Sequence, residues 1–215
     1  MLHIKSFTFN PFAENTFVVY DETNAAIIID PGCCNRSEEE LLANYIKENA
    51  LTVTKLISTH CHIDHVLGNA FVKSAYNVPY LIHSYEEPVL KAVKAYAPNY
   101  GFPQYHEILP DGFLADGDFI TAGSNQFQIR FVPGHSPGHI ALYNPDYKAL
   151  IGGDVLFQNS IGRTDLPGGD YDTLIESIHT KLFTLPDEVT VYCGHGPATT
   201  IGYEKRNNPF CALAG

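Results

Sequence analysis

Basic side chains are in short supply: 13 lysines and arginines stand against 24 aspartates and glutamates, a net charge of -11 over 215 residues. A surface so acidic repels phosphate backbones and anionic membranes, which argues against nucleic acid and membrane partners. Long apolar runs are lacking too. Met1-Leu2-His3-Ile4-Lys5 opens no stretch of signal-peptide length, and nothing approaches the ~18 apolar residues of a membrane span. Cysteine is sparse and unpatterned: Cys33, Cys34, Cys61, Cys193 and Cys211 are odd in number and hold no CxxC spacing. That argues against a disulfide framework and for a reducing cytoplasm, with Cys61 and Cys193 as second-choice metal donors beside better ones. Low-complexity linkers and internal repeats are absent, and a composition 45% hydrophobic is enough for one domain with a sizeable core.

What is present is an alternation of β-runs and helical patterns. Residues 2–9, 15–20 and 25–30 read as strands, the first two joined by a turn starting at Asn10-Pro11 and the third stopped by Pro31-Gly32. Ser37-Glu38-Glu39-Glu40 fits a capping box, with Ser37 as the cap and Leu41, Leu42, Tyr45 and Ile46 as one apolar face. A strand over 53–58 runs into a helix over 65–76. A short strand at 79–83, a helix from about 85 to 96 and a loop-rich stretch at 97–116 come next. Strands at 118–122, 126–132, 139–143, 148–152 and 189–193, with a helix at 170–183, complete the reading. The pattern predicts an α/β protein: two sheets with helices outside them.

The chemistry concentrates in Thr59-His60-Cys61-His62-Ile63-Asp64-His65. On an extended chain residues two apart face one way, so His60 and His62 can grip one ion. A helix starting there would turn Asp64 and His65 toward a second. Three imidazoles and a carboxylate within six residues are costly to bury without such a partner. Three further donors each lie just beyond a predicted strand: His135 in Pro-Gly-His-Ser-Pro-Gly-His, Asp154 in Gly-Gly-Asp, and His195 in Gly-His-Gly-Pro. Alone, each histidine reads as structural. Together with the first cluster they read as a metal centre. His139 is left as either a donor to a ligand carboxylate or a strand cap.

His60-x-His62-x-Asp64-His65, then His135, Asp154 and His195, resembles the metallo-β-lactamase superfamily, and more narrowly glyoxalase II and its shorter relatives. The resemblance implies an αββα sandwich of two mixed sheets flanked by helices. It also implies a binuclear site in which His60, His62 and His135 hold one metal, Asp64, His65 and His195 the other, and Asp154 bridges. Two divalent ions are expected, zinc first, with iron or manganese also compatible with these donors. A metal lowers the pKa of a bound water from ~15.7 to about 7, so no serine or cysteine nucleophile is required. Asp64 is the expected catalytic residue, orienting the attacking hydroxide. Where β-lactamases proper use a cysteine ligand, this chain has an aspartate, which argues against antibiotic hydrolysis.

The implied activity is hydrolysis of a small thioester of the hydroxyacylglutathione or S-lactoylglutathione type. Arg163, in Gly162-Arg163-Thr164-Asp165, is a candidate clamp for a substrate carboxylate, or else the partner of Asp165. Full-length glyoxalase II has a helical C-terminal domain. Residues 196–215 hold one short helix at most, so a single domain over 1–215 is expected. The aromatics Tyr85, Tyr96, Tyr100, Phe102 and Tyr105 read as packing in preference to a lid. The rivals are a mononuclear iron persulfide dioxygenase of the same superfamily, using His60, His135 and Asp154, and a metal-binding protein without catalysis.

Overall fold

In the first sheet, strands β1 (His3–Phe9), β2 (Glu14–Tyr20), β3 (Ala25–Ile29), β4 (Thr52–Ile57), β5 (Tyr80–Ile82) and β6 (Gly112–Phe113) lie side by side in chain order. The computed structural model describes residues 1–213 and divides into two compact units. Residues 1–114 with 121–126 make the first, and 115–120 with 127 onward the second.

Burial dictates how the first sheet is built. β1 is mostly exposed and buries only Phe7 and Phe9, as an edge strand can, whereas β2 and β3 are buried almost throughout, β3 as a continuous apolar run. β1, β2 and β3 pair antiparallel, and β3 through β6 pair parallel. Parallel strands deliver their C-terminal ends to one edge of a sheet. Ile29 of β3 lies opposite Ile57 of β4, so the residues just beyond both emerge together. Helices α1 (Arg36–Glu48), α2 (Ile63–Val66), α3 (Asn69–Tyr76) and α4 (Glu87–Tyr96) pack Leu42, Ile46, Val66, Val72, Leu90 and Val93 against Val18, Ile28, Leu56 and Ile82. Each such side chain, fully buried, is worth about 1.5–3 kcal/mol.

Several sequence expectations need correction here. The cap of α1 is Asn35, not Ser37: its side chain accepts from the Glu38 amide at 3.1 Å and from the Ser37 hydroxyl at 2.6 Å. Leu41 lies outside the apolar face and is 54% exposed. The helix expected over 65–76 is two helices. The Gly68 amide, which would otherwise reach back to the Asp64 carbonyl, donates to the Pro31 carbonyl at 2.7 Å. Of the aromatics in the 84–116 insert, Tyr96, Phe102 and Tyr105 pack on the core, while Tyr85 and Tyr100 are exposed.

The second sheet runs in the order β14 (Thr199–Thr200), β13 (Thr190–Cys193), β10 (Ala149–Gly153), β9 (Ile140–Asn144), β8 (Asn125–Phe131) and β7 (Phe119–Ala122). β10 and β13 are parallel, with Gly153 opposite Cys193. β9 is antiparallel to both β8 and β10, so the 132–139 turn joins the edge where β10 and β13 end. A small hairpin, β11 (Leu156–Phe157) and β12 (Ser160–Ile161), follows β10. Helix α5 (Tyr171–Ser177) is capped by Asp170 and continued by a π-turn to Leu182. It buries Leu174, Ile178 and Leu182 with Val132, Ala141, Leu150 and Val191. Helix α6 (Ile201–Asn207) ends the described fold.

One connection in the first unit carries a prediction. Buried Asp21 ends β2 and gathers donors from Thr23, Ser124 and Asn125. Burial opposes its ionisation, but the hydrogen bonds from Ser124 and Thr23 outweigh that and hold its carboxyl well below the usual range. A depressed folded pKa stabilises fully above the ordinary carboxylate value and is lost as pH falls through the lower one. Asp21→Asn should therefore cost roughly 2 kcal/mol at pH 7. In denaturant melts, the gap to the parent protein should start closing below about pH 3.9. A gap that stays constant down to pH 2.5 would refute this account.

Candidate metal centre

In the first unit, the chain leaving β4 bends at Thr59 and His60 and is extended at His62, whose φ of -67° and ψ of 153° make it the cap of α2. The bend and the helical turn bring the histidines together: the His60 ring lies 4.8 Å from that of His62 and 4.1 Å from that of His65, centre to centre. His60 and His65 are fully buried. The Asp64 carboxylate is 14% exposed and lies 3.7 Å from His65 Nε2.

The ring protons can be assigned from the hydrogen bonds. Asp30, just past β3, accepts from the Thr59 amide at 2.6 Å and from the Thr59 hydroxyl at 2.6 Å, and lies 3.2 Å from His65 Nδ1. Since the Thr59 hydroxyl spends its proton on Asp30, its oxygen accepts from His60 Nδ1, 3.2 Å away. These bonds place the proton of both rings on Nδ1 and leave Nε2 the lone-pair nitrogen. The donor atoms of Asp30, His60 and His65 lie within 4.8 Å of one another. With three hydrogen bonds converging on it, Asp30 holds His65 directly and His60 through Thr59. Behind it, burial pushes the Glu14 carboxyl well above the ordinary range, against the pull of His65 and with a further push from Asp30. Glu14 Oε1 lies 3.9 Å from His65 Nδ1 and makes no hydrogen bond. The loop itself is pinned by buried Glu86, which accepts from the Cys61 amide at 2.7 Å.

In the second unit, β10 and β13 bring Asp154 and His195 side by side, locked by the Gly194 amide donating to the Gly153 carbonyl at 2.8 Å. His135 Nδ1 donates to the Arg163 carbonyl at 2.7 Å, which leaves its Nε2 bare as well. Gly162 permits this approach, since a Cβ there would lie 1.9 Å from the Asp154 carbonyl and 3.0 Å from His135 Nδ1. One oxygen of Asp154 lies 3.6 Å from His135 Nε2 and 3.4 Å from His195 Nε2. His139 neither donates to that carboxylate nor merely caps a strand: its Nε2 accepts the Asp154 amide at 3.0 Å.

These spacings test whether the donors suit a metal. The three imidazole–carboxylate distances among the candidate ligands, 3.4 to 3.7 Å, exceed ordinary hydrogen-bond length, unlike the 3.2 Å from His65 to Asp30. They match the roughly 3.3 Å between neighbouring ligands that each stand ~2.0–2.2 Å from a tetrahedral ion. Imidazole nitrogens next to carboxylates are the donor chemistry of Zn, Fe or Mn. The residues fit.

Two cysteines do not join them. Cys61 is buried with its Sγ 3.7 Å from the Tyr80 hydroxyl, and burial, with Glu86 nearby, pushes its thiol far up. Cys193 is 1% exposed, its Sγ directed at the Val191 carbonyl, and burial raises its pKa to about 12. Arg163 grips Asp165 through two contacts of 2.7 and 2.8 Å at the surface, and this pairing pulls the Asp165 carboxyl down to about 2. Asp30, Glu14, Glu86 and the Asn10 side chain escaped the sequence reading. The one legible signal was Asp30 itself, a charge closing the apolar run before Pro31-Gly32.

Two mixed sheets with helices, and histidine–carboxylate clusters at strand ends, define an α/β protein built for divalent metal chemistry. The chain belongs to the metallo-beta-lactamase superfamily, whose sequence model matches residues 9–195, and it has that family's fold. It is 39% identical over 211 residues to the hydroxyacylglutathione hydrolase GloC of Haemophilus influenzae, covering 97% of this chain and 98% of that protein. The crystal structure of the BLEG-1 B3 metallo-beta-lactamase is similar at a TM-score of 0.89 and 36% identity, covering 98% of this chain and all of that one. TTHA1623 in a di-iron-bound form matches at a TM-score of 0.85 and 35% identity, over 96% of this chain and 99% of that one.

Proposed function

We propose that this chain is a binuclear metallohydrolase of small thioesters, of the hydroxyacylglutathione kind. His60, His62 and His135 would hold one ion and Asp64, His65 and His195 the other, with Asp154 between them. The observation that carries the two-ion reading is the single Asp154 oxygen standing 3.6 and 3.4 Å from the Nε2 atoms of two different histidines, as a bridging carboxylate would. The substrate class is supported by the full-length likeness to the Haemophilus hydrolase.

When bound, the ions would supply a water acidic enough to ionise near pH 7 and would polarise the scissile carbonyl. The protein's own part is preorganisation. Asp30, Thr59 and the Arg163 carbonyl favour the ring protons of His65, His60 and His135 on Nδ1, so that their Nε2 atoms would be the ones to hold metal. Asp64 would orient the attacking water. Arg163 is exposed and can exchange Asp165 for a carboxylate on the substrate. Among the described residues no helix is long and apolar enough to cross a membrane, and none of the five cysteines is in a disulfide. The substrate we propose is a small molecule met in the cytoplasm, and the net charge of -11 disfavours nucleic acid and anionic membranes.

The di-iron relative leaves iron as an alternative to zinc. The likeness to a B3 metallo-beta-lactamase favours a second reading, β-lactam hydrolysis. Metal quantitation joined to an S-lactoylglutathione assay decides between these. Two ions per chain with release of free glutathione is the expected result. Turnover of a β-lactam but not the thioester selects the second reading. One iron per chain with oxygen uptake on glutathione persulfide makes the protein a dioxygenase, and metal without turnover of any of these substrates makes it a binding protein.

A further inference from the structure

The carbonyl of Asp64 has lost its helical partner. In an uninterrupted helix it would accept from the amide of residue 68, but that amide donates to the Pro31 carbonyl at 2.7 Å. Its place is taken by Asn10, at the tip of the β1–β2 hairpin. The Asn10 carboxamide nitrogen has two hydrogens and uses both, donating at 3.0 Å to the Asp64 carbonyl and at 3.0 Å to the Gly32 carbonyl. Its oxygen accepts from the Phe12 amide at 3.0 Å. Its backbone amide donates to Glu38 Oε1 at 3.0 Å, and Glu38 Oε2 accepts from the Cys34 amide at 2.8 Å. Asn10 adopts φ of 51°, a left-handed conformation that asparagine, aspartate and glycine tolerate best. The knot is tight enough that a Cβ on Gly32 would lie 2.6 Å from the Asn10 nitrogen and 2.7 Å from the Asp64 carbonyl.

From these contacts we infer that Asn10 is a positioning residue for Asp64: the hairpin tip reaches into α2 and fixes the backbone from which the Asp64 carboxylate projects. A left-handed turn residue has no need of two donors aimed away from its own turn. Carbonyls of Gly32 and Asp64 converging on one carboxamide join the segment after β3 to the first turn of α2 at a single side chain, while the Asn10 backbone amide ties the same residue to the start of α1. The inference rests on the proposed assignment of Asp64 to one of the two ions, and its consequence is selective. Loosening Asn10 should weaken the ion held by Asp64 and spare the other.

The test is a titration of the metal-free protein with Zn²⁺ against a competing chelator, in the parent chain, Asn10→Gly, Asn10→Asp and Asp64→Ala. Glycine keeps the left-handed turn and deletes only the carboxamide. Aspartate keeps shape and turn, but turns an anionic oxygen on two carbonyls. One of the two binding steps should weaken by about 10–100-fold in Asn10→Gly, and at least as much in Asn10→Asp, with the other step within about twofold. If Asn10 serves only its turn, both variants bind like the parent; if it serves only general stability, both steps weaken together along with the melting temperature of the metal-free protein. Either result overturns the inference. Asp64→Ala separates the two levels: if it leaves both steps intact, the assignment of Asp64 is wrong, whatever Asn10 does.

Discussion

Asp154→Asn is expected to lower thioester kcat/KM by more than about 100-fold and to reduce bound metal from two ions per chain to one or none. Outer hydrogen-bond partners of metal ligands are already worth about 10–100-fold in affinity or activity, and a bridging ligand must exceed them. The amide substitution keeps volume and shape, but it removes the negative charge that two dications share and replaces one lone-pair oxygen by a donor. It leaves the scaffold alone. The Asp154 amide still donates to His139 Nε2, and Gly194 still bonds Gly153, because both contacts are made by the backbone. Circular dichroism melts of metal-free parent and variant should therefore nearly coincide while metal content and turnover diverge. A variant that retains two ions and half its activity would remove Asp154 from the bridging position and the two-ion scheme with it.

How much of this was legible beforehand follows from how far each interaction reaches along the chain. The donors of the first cluster sit within six residues, so their proximity was readable, but the helix expected from residue 65 begins at Ile63 and the chain before it bends at Thr59 and His60. The glycine-flanked His135, Asp154 and His195 were readable as residues after strands, and parallel β10 and β13 bring the last two together. Asp30 was not legible as an orienting residue, since its bond to Thr59 spans 29 positions and exists only because Ile29 and Ile57 are in register. The break between α2 and α3 was hidden for the same reason, a backbone bond from Gly68 to distant Pro31 overriding local helix preference. The cap of α1 failed on a smaller scale. Asn35 and Ser37 are both good caps and each has a glutamate three residues on, Glu38 and Glu40; the capping-box pattern, written for serine or threonine, favoured Ser37. Cys61 and Cys193 looked like donors because they lie one and two residues from ligands in sequence, but both thiols turn into the core.

Asp30→Asn offers the sharpest separation of stability from metal binding. Asparagine tolerates the φ of 49° that Asp30 adopts, so the backbone need not move. The Thr59 amide cannot rotate its proton away, so the new carboxamide must keep an oxygen toward it and set its NH2 toward the Thr59 hydroxyl and His65 Nδ1. The hydroxyl can swing to accept. His65 must then change tautomer, taking a hydrogen bond at Nδ1 and carrying its proton on Nε2, the atom that would face the ion. Zinc affinity at the step involving His65 should fall about 10–100-fold, with a modest loss of stability. Asp30→Ala, by contrast, strands three buried donors and puts an alanine in a left-handed conformation, so about 3 kcal/mol or more of stability should go with the metal. Nitrogen-detected NMR of the histidine rings in the metal-free protein reads the tautomer directly. If His65 in Asp30→Asn still carries its proton on Nδ1 and binds zinc like the parent, the carboxylate is a structural brace for Thr59 and does not set the chemistry of the ligand beside it.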